Sequence, residues 1–385
     1  MPSQKYDVII VGLGAMGSAA AYHLARAGRK VLGLDRFASP HPFGSSHGQT
    51  RIIREAYFEH PLYVPLVQRA YELWAELEHE SGRKLFQHTG GLMIGRPDSA
   101  VVSGALRSAR EHHLKFELLT AAELGRQFPA FRPADDMVAV WEPRAGMVFP
   151  ERCIEAHLSL AGKHGLELRF DDPVSRWEPV PGGVRVVSAT GQYEAGQLLL
   201  TAGSWTRSLL ADLNLPLTVE RQIQFWFEPK KSAFFRPDRC PIHIWEHGPG
   251  RHFYGFPDLG DGLKIAGHHE GQTANPDSIN RAVSPEEVEA MRALLRQFLP
   301  DADGALRSAV VCMYTNTPDH HFFIDRHPAH AEVLIASPCS GHGFKFSSCV
   351  GEVLAQLIVN GESRFDLSLF RHRWQSGPDR GGQSD

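Results

Sequence analysis

The sequence contains little cysteine and little net charge. Its five cysteines are an odd number and lie far apart along 385 residues. This does not suit a disulfide framework and is typical of a reducing, cytosolic setting. The formal net charge of −4 gives no electrostatic reason to expect nucleic acid or an anionic membrane as a partner. We therefore expect a cytoplasmic globular protein that binds neither.

Metal-ligand spacings and membrane segments are also missing. The 21 histidines are scattered and form no His-Glu-x-x-His motif, so we expect no metal site. Residues 8–25 are almost all apolar or small, but they include Tyr22 and His23 and are interrupted by three glycines. No basic segment followed by a cleavage site of the Ala-x-Ala type accompanies them. A buried strand followed by a helix therefore explains this stretch better than a membrane span or a signal peptide.

The N-terminal region has the pattern strand, glycine turn, helix, strand. A β-branched apolar run typical of a strand in a parallel sheet comes first, and the second strand ends in Asp35. Between them, Gly12, Gly14 and Gly17 form G-x-G-x-x-G, which permits close approach of a pyrophosphate to the start of a helix. Asp35 is placed to accept hydrogen bonds from an adenosine ribose. This pattern predicts a dinucleotide site and does not by itself separate NAD from FAD.

The rest of the chain alternates between helical and strand-rich parts. Amphipathic spacing predicts helices at 63–80 and 101–113. Residues 218–269 consist of short strands with alternating aromatic side chains, unlike the N-terminal pattern. A strand, a glycine turn and a helix return after Asp325. No repeat or low-complexity linker separates these parts, which favours two interleaved domains over two consecutive ones.

Three separated stretches carry a more specific signal. They are GSSHGQTRIIREAY (44–57), CMYTNTPDHHFFID (312–325) and CSGHGFKF (339–346). Together they closely resemble the monomeric sarcosine oxidase family, and the glycine motif, a Thr-Ala-Gly strand end and the chain length fit as well. The family includes N-methyltryptophan oxidase. Its members oxidise the C–N bond of secondary amino acids with a cysteine-linked FAD, and dioxygen reoxidises the flavin to give hydrogen peroxide.

The resemblance implies an α/β fold. A Rossmann-type FAD-binding domain is expected to be interleaved with a β-rich, mixed-sheet substrate domain. The expected ranges are 1–60, 150–217 and 326–374 for the FAD-binding domain, 61–149 and 218–325 for the substrate domain, and 375–385 for a mobile tail.

Cys312 is implied to be the attachment point of the flavin, as an 8α-S-cysteinyl thioether. Taken alone, a single cysteine is more often a small buried apolar side chain. Nearby cations that favour the thiolate would promote its addition to an electrophilic flavin. Tyr314 is expected on the same face as Cys312 if the strand is regular.

Further residues are implied to surround the cofactor. Arg51 is expected against the flavin, on a helical segment where it shares a face with Arg54, and His47 is expected nearby. Gly341 and Gly343, with the helix that follows, are expected to direct N–H donors at the flavin pyrimidine. The other expected cofactor contacts are Gly12, Gly14, Gly17, Asp35, Arg36, Ser45, Thr50, Gly203 and Lys345.

Substrate recognition is implied to involve two cations and two aromatic residues. Arg54 is suited to a bidentate grip on a carboxylate, and Lys345 adds a second cation; both are embedded among apolar residues in the sequence. Tyr254 and His268 match positions that contact substrate in the family. Lys264 matches the lysine that activates oxygen, where a positive charge stabilises developing superoxide. We assign catalytic roles to Lys264, His268, Tyr254 and Arg51.

The expected activity is that of an oxidase of N-methyl amino acids such as sarcosine, acting as a monomer. Trp226 and Trp245, on strands expected to line the pocket, leave N-methyltryptophan and cyclic imino acids such as proline or pipecolate as alternatives. A flavin dehydrogenase that passes electrons to a quinone or a partner is a more distant one. An NAD-linked dehydrogenase or a non-catalytic binding module leaves the three specific stretches unexplained. The polar run 347–349 is unusual at the start of a packed helix.

Overall fold

A computed structural model describes residues 5–371 and residue 373. Nineteen strands and eight α-helices lie within these residues. The strands are β1 (Lys5–Val11), β2 (Val31–Leu34), β3 (Arg51–Ile53), β4 (Phe86–His88), β5 (Gly91–Gly95), β6 (Glu117–Thr120), β7 (Val138–Glu142), β8 (Gly146–Val148), β9 (Glu167–Arg169), β10 (Val174–Val180), β11 (Gly183–Ser188), β12 (Gln192–Leu200), β13 (Thr218–Phe227), β14 (Ile242–Gly248), β15 (Arg251–Gly255), β16 (Leu263–His268), β17 (Leu306–Asn316), β18 (Phe323–His327) and β19 (His330–Ser337). The helices are α1 (Ala15–Arg26), α2 (Tyr63–Ser81), α3 (Ala100–Glu111), α4 (Ala121–Gln127), α5 (Pro150–Lys163), α6 (Thr206–Leu209), α7 (Pro285–Phe298) and α8 (Ser347–Val359).

The first sheet contains the N-terminal strand at its centre. Its path is β10-β11-β12-β1-β2-β9, and β19 pairs with β12 and β18. Strand β1 is parallel to β2 and β12, and β12 is parallel to β19. Helices α1, α5 and α8 contribute to the apolar core that also buries Val8 and Ile10 of β1. The predicted strand, glycine turn, helix and strand are therefore confirmed.

The second sheet is largely antiparallel. Its order is β17-β13-β16-β15-β14-β5-β7-β6, and only the β14–β5 pair among these is parallel. Helix α3 packs on one face, and α4 and α7 pack on the other. A small third sheet, β3-β8-β4, contains the strand that begins at Arg51. Within the second sheet, β13 to β16 confirm the strand-rich part predicted at 218–269.

Two local expectations have clear outcomes. The amphipathic segments predicted at 63–80 and 101–113 are confirmed as α2 and α3. The helix expected at Arg51 and Arg54 is wrong, because Arg51 starts β3 and pairs with Val148 of β8. The β-branched pair that follows Arg51 suits a strand better than a helix. The expected tail at 375–385 lies outside the described residues.

The predicted domain ranges stay a prediction, and the packing of α2 bears on them. Helix α2 was placed in the substrate domain, yet it shares its apolar core with α1, α5 and α8. Strand β18, which begins at Phe323, already belongs to the first sheet. In the described part of the chain, no helix is both long enough and apolar enough to cross a membrane.

Small side chains at the start of α8 let it pack closely on its neighbours. Ser347, Ser348 and Cys349 are all buried, and the Ser348 hydroxyl donates to the Ala70 carbonyl of α2 at 3.3 Å. A Cβ at Gly351 would lie 2.5 Å from the Cβ of Ala19 in α1. The polar run is thus explained by close helix packing, because larger apolar residues would separate α8 from α1 and α2.

The same substitution at two helical glycines should have opposite effects. Gly351→Ala should lower the free energy of unfolding by about 1–3 kcal/mol, because α1 and α8 must separate. Gly162→Ala in α5, where an added Cβ meets nothing within 4 Å, should raise it by about 0.5–1 kcal/mol. Urea denaturation of both variants measures the changes. A neutral or stabilising Gly351→Ala would contradict the close packing.

Candidate active site

A large cleft is lined by residues from both eight-stranded sheets. Its volume is about 350 Å³. One end is formed by the glycine turn between β1 and α1, together with Asp35 at the end of β2. The other end is formed by Arg54, Tyr254 and Lys345. The cleft therefore lies at the carboxyl ends of parallel strands, where open α/β sheets bind ligands.

The glycine turn leaves the start of α1 open to the cleft. Gly12 has a φ of 94°, and a Cβ there would lie 2.5 Å from the Thr201 carbonyl oxygen. Gly14 is the N-cap of α1 and has no side chain to cap the helix, and the Ala15 amide donates a long hydrogen bond to the Ser46 hydroxyl at 3.4 Å. Asp35 accepts hydrogen bonds from the amides of Leu13, at 2.6 Å, and Phe37, at 3.1 Å. Uncapped N–H groups at a helix start favour an anion such as a pyrophosphate.

Polar atoms farther along the cleft also suit a dinucleotide. The Ser45 hydroxyl lines the cleft, is buried, and has no hydrogen-bond partner among the described residues. On the opposite wall, Gly341 has a φ of 76°, and Gly343 precedes the short helical turn that leads into α8. The hydroxyl and amide groups along the cleft, and the glycines that let a ligand approach the backbone closely, therefore fit a bound dinucleotide.

Two buried cations lie at the far end. Arg54 is 1% exposed; its Nη2 pairs with Glu59 at 2.7 Å, and its Nη1 donates to the Ala56 carbonyl at 2.9 Å. Its Nε has no partner within the described chain. Lys345 donates to the His342 carbonyl at 2.7 Å. Burial, and secondarily the charge of Arg54, lower the pKa of Lys345 to about 7. Together these groups form a cationic corner suited to a carboxylate.

An aromatic group adjoins the cationic corner. The Nδ1 atom of His268 lies 3.1 Å from the Tyr314 hydroxyl. Burial lowers the pKa of His268 well below its usual range, so the ring is neutral. In the tautomer with its proton on Nδ1, this nitrogen donates to Tyr314 and Nε2 is the acceptor. The ring of Tyr254 lies edge-on, 6.2 Å from that of His268. A neutral imidazole here can accept a proton or a hydrogen bond from an amine.

A second group of predicted residues lies behind the cleft wall. Cys312 is 1% exposed, and its Sγ lies 3.7 Å from the Arg51 Nη2 and 3.7 Å from the Ser45 carbonyl oxygen. His47 is buried, and burial followed by the charge of Arg51 lowers its pKa to about 3. Its Nε2 has no partner in the part of the chain that is described. Arg51 itself lines the cleft, as does Met313, so Cys312 lies directly beside cleft-lining residues.

Lys264 is held by the loop that precedes β3. Its Nζ donates to the carbonyls of Gly48, at 2.6 Å, and Thr50, at 2.8 Å, and to the Thr50 hydroxyl at 3.2 Å. Burial, and then the charge of Arg51, lower the pKa of Lys264 well below its usual range. Three oxygen acceptors nevertheless match the three donors of an ammonium. The two carbonyl oxygens can accept from an ammonium or from a neutral amine, and the Thr50 hydroxyl can accept from the first or donate to the second.

The predicted site residues thus divide into two groups. Those that line the cleft are Gly12, Gly14, Asp35, Arg36, Ser45, Arg51, Arg54, Gly203, Tyr254, His268, Gly341, Gly343 and Lys345. Those that lie behind its surface are Gly17, His47, Thr50, Lys264 and Cys312. Gly17 packs on the Gly12 carbonyl, where any Cβ would collide. Both groups occupy one region of the fold.

The expectation that Trp226 and Trp245 line the pocket is wrong. Trp245 is fully buried in the core between the second sheet and α7, where its ring stacks on Phe253 at 5.6 Å. Its neighbour Ile244 points the other way and lines the cleft. Trp226 donates its indole N–H to Gln49 at 3.1 Å. The strand register therefore turns both tryptophans away from the cleft.

The cleft residues that the sequence analysis missed include Glu59, His342 and, as a substrate-side residue, Tyr314. His342 sits between the two predicted glycines, and its Nδ1 lies 2.5 Å from the Tyr57 hydroxyl. Because both glycines were already assigned to the cofactor site, this position could have predicted that His342 lies there. Glu59 was not detectable, because only the fold after β3 returns it to Arg54.

Comparison with known proteins agrees with this geometry. Residues 7–357 match the FAD dependent oxidoreductase family. The monomeric sarcosine oxidase of Streptomyces avermitilis is 48% identical over 376 residues, covering 96% of this chain and 98% of that protein. The chain belongs to the monomeric sarcosine oxidase family of FAD-dependent oxidoreductases. The predicted family, α/β fold and use of FAD are confirmed.

Two further relatives and one solved structure are also similar. The monomeric sarcosine oxidase of Bacillus sp. (strain B-0618) is 43% identical, covering 96% of each chain. The N-methyl-L-tryptophan oxidase of Salmonella typhi is 37% identical, covering 95% of this chain and 98% of that protein. The amino acid oxidase NikD has the same fold, with a TM-score of 0.83 at 24% identity, covering 96% of this chain and 98% of that one.

The cationic corner should give carboxylate binding an alkaline limit. Because the pKa of Lys345 is lowered to about 7, its ammonium loses a proton as pH rises through that value. The affinity for propionate, titrated by the flavin absorbance, should therefore fall above pH 7. Lys345→Met should weaken binding at pH 6 by about tenfold and abolish this alkaline fall.

Lys230→Met removes an exposed lysine (56% exposed) and serves as the control, with the wild-type profile expected. An alkaline fall that persists unchanged in Lys345→Met would contradict the assignment.

Proposed function

We propose that this enzyme oxidises the C–N bond of secondary amino acids such as sarcosine, with dioxygen as the electron acceptor. The amine carbon becomes an imine that water hydrolyses. Sarcosine, water and dioxygen thus give glycine, formaldehyde and hydrogen peroxide. Relatives at 42–48% identity bear the name monomeric sarcosine oxidase, and we propose a cytoplasmic monomer here too.

The cationic corner beside a neutral histidine is the observation that carries this proposal. Arg54 and Lys345 line the same end of the cleft as His268. An amino acid bound through its carboxylate to the two cations would place its amine toward the aromatic group. There His268, kept neutral by burial, accepts a hydrogen bond or a proton from the amine. A neutral amine is needed, because a protonated one has no electron pair to give.

The cofactor end of the cleft supports the oxidative half of the proposal. FAD, when bound, supplies the two-electron acceptor. The start of α1 at Gly12 and Gly14 would hold the pyrophosphate of FAD. The Ser45 hydroxyl, which lines the same cleft, would form a hydrogen bond to the cofactor. Arg51 lines the cleft and would stabilise negative charge there.

Two residues behind Arg51 have further proposed roles. Cys312 would carry FAD as a cysteinyl thioether, and the guanidinium of Arg51 lies 3.7 Å from its Sγ. Lys264 would place an ammonium where dioxygen is reduced. Its three oxygen acceptors hold that charge in position without a neutralising carboxylate among them.

A peroxide-coupled assay of sarcosine, N-methylalanine, N-methyltryptophan, proline and pipecolate tests the function. We expect the highest kcat/KM for sarcosine, and one hydrogen peroxide per amine oxidised. Amine-dependent bleaching of the flavin without peroxide in air would instead indicate a dehydrogenase. Absence of bleaching with all five amines would contradict the proposal.

The covalent linkage is tested by acid precipitation. Cys312→Ser should release its flavin into the supernatant, because serine oxygen is a far weaker nucleophile than a thiolate. Cys339→Ser alters the cysteine that lines the cleft and should keep its flavin in the pellet. Covalent flavin retained by Cys312→Ser would overturn the attachment site.

A further inference from the structure

A buried carboxylate accepts two hydrogen bonds from the backbone next to Arg54. Glu142 ends β7 and is 1% exposed. Its Oε1 accepts the amide of Glu55 at 2.7 Å, and its Oε2 accepts the amide of Ala56 at 2.8 Å. These are the two residues that follow Arg54. Both oxygens of one carboxylate therefore fix the chain where it leaves β3.

The side chain of Arg54 depends on the same backbone. Its Nη1 donates to the Ala56 carbonyl at 2.9 Å. Ala56 is thus bound on both sides, through its N–H by Glu142 and through its C=O by Arg54. Displacing the Ala56 peptide would move the acceptor that orients the guanidinium. Arg54 points into the cleft, so this displacement would reach the substrate end.

The carboxylate also joins two sheets. Strand β7 pairs with β5 in the second eight-stranded sheet, with Glu142 opposite Gly91. Strand β3 belongs to the small third sheet through its pairing with β8. The side chain of Glu142 is a link between the sheet that carries Tyr254 and the strand that leads to Arg54. It sets the position of the arginine relative to the aromatic group.

We propose that Glu142 is a positioning residue for Arg54, which orients the guanidinium toward the substrate carboxylate without touching the substrate. The inference rests on the proposed function only in taking Arg54 as the carboxylate ligand. Loss of the two hydrogen bonds to Glu142 should weaken binding of the substrate carboxylate and should leave the chemistry after binding largely unaffected.

The hydrogen bonds of Glu142 to the backbone depend on pH, because its carboxyl group titrates among other charged and titratable groups. Burial raises the pKa of Glu142 to about 7. The hydrogen bonds from the amides of Glu55 and Ala56 lower this pKa, but by less than burial raises it. Glu55 raises the pKa and Arg54 lowers it; Tyr71 and Arg144 also lie close by. As pH falls through 7, one oxygen gains a proton and ceases to accept an amide. Carboxylate affinity should therefore fall on the acidic side, opposite to the effect of Lys345.

Glu142→Gln in the flavin-loaded enzyme tests the proposal. The amide keeps the size and one acceptor, but it turns an NH2 donor against the second N–H. We expect the Kd for propionate and the KM for sarcosine to rise about tenfold, with little change in kcat. The acidic fall in propionate affinity should vanish. Hydrogen exchange at the amides of Glu55 and Ala56 should accelerate.

Glu246→Gln is the matched control. Glu246 is also buried in the second sheet, and it accepts a backbone amide, that of Val101, at 3.0 Å. Its polar partners among the described residues are the Val101 amide and His252 and not Arg54, so we expect a similar loss of stability and an unchanged Kd for propionate. Glu142→Asp, which keeps the charge on a shorter arm, should give an intermediate Kd and serves if Glu142→Gln fails to fold.

Two outcomes would overturn the proposal. One is an unchanged propionate Kd in Glu142→Gln, or in Glu142→Asp if it replaces Glu142→Gln, despite faster exchange at Glu55 and Ala56. The other is an equal rise of Kd in Glu246→Gln, which would show a general loss of structure. Propionate binding needs no turnover. If the wild-type enzyme oxidised none of the secondary amines, the proposed function would fail, while a selective rise of Kd would still support the role of Glu142.

Discussion

Burial of basic side chains beside the cleft is the constraint on which the rest of the site depends. Arg54, Lys264 and Lys345 are 1%, 2% and 5% exposed, and an unpartnered buried ion costs several kcal/mol. Each is therefore surrounded by oxygens from backbone carbonyls, a hydroxyl or a carboxylate. The loop before β3, the segment after it and the turn before α8 are shaped by this requirement. Their conformation supplies partners for the cations.

The two sheets divide the chemistry between them. The first sheet and α1 provide a generic anion site, which requires only glycines and a helix start. The second sheet contributes the side chains that distinguish this cleft from other dinucleotide sites, including Tyr254, Lys264, His268 and Cys312. Because one fold family hosts many reactions, the second group carries the functional argument. Arg51 of the third sheet contacts the second sheet at Cys312 of β17.

Local patterns were predictable from the sequence, whereas strand register and distant pairing were not. The Gly12–Gly14 turn, α2 and α3 followed from spacing within a short window. The joint role of Arg54 and Lys345 came only from the family resemblance, because the two residues are far apart in sequence and meet only in the fold. Trp245 was misplaced because one step of register decides which face of β14 meets the cleft. The contact of Glu142 with the backbone after Arg54 has no sequence signal, since it depends on how two sheets meet.

The most direct test of this account is the position of a bound carboxylate. A crystal structure of the oxidised enzyme with propionate should place its carboxylate oxygens about 3 Å from the Arg54 guanidinium and the Lys345 ammonium. The aliphatic end should point toward His268 and Tyr254. A carboxylate bound elsewhere in the cleft, with neither cation in hydrogen-bonding distance, would contradict the central claim.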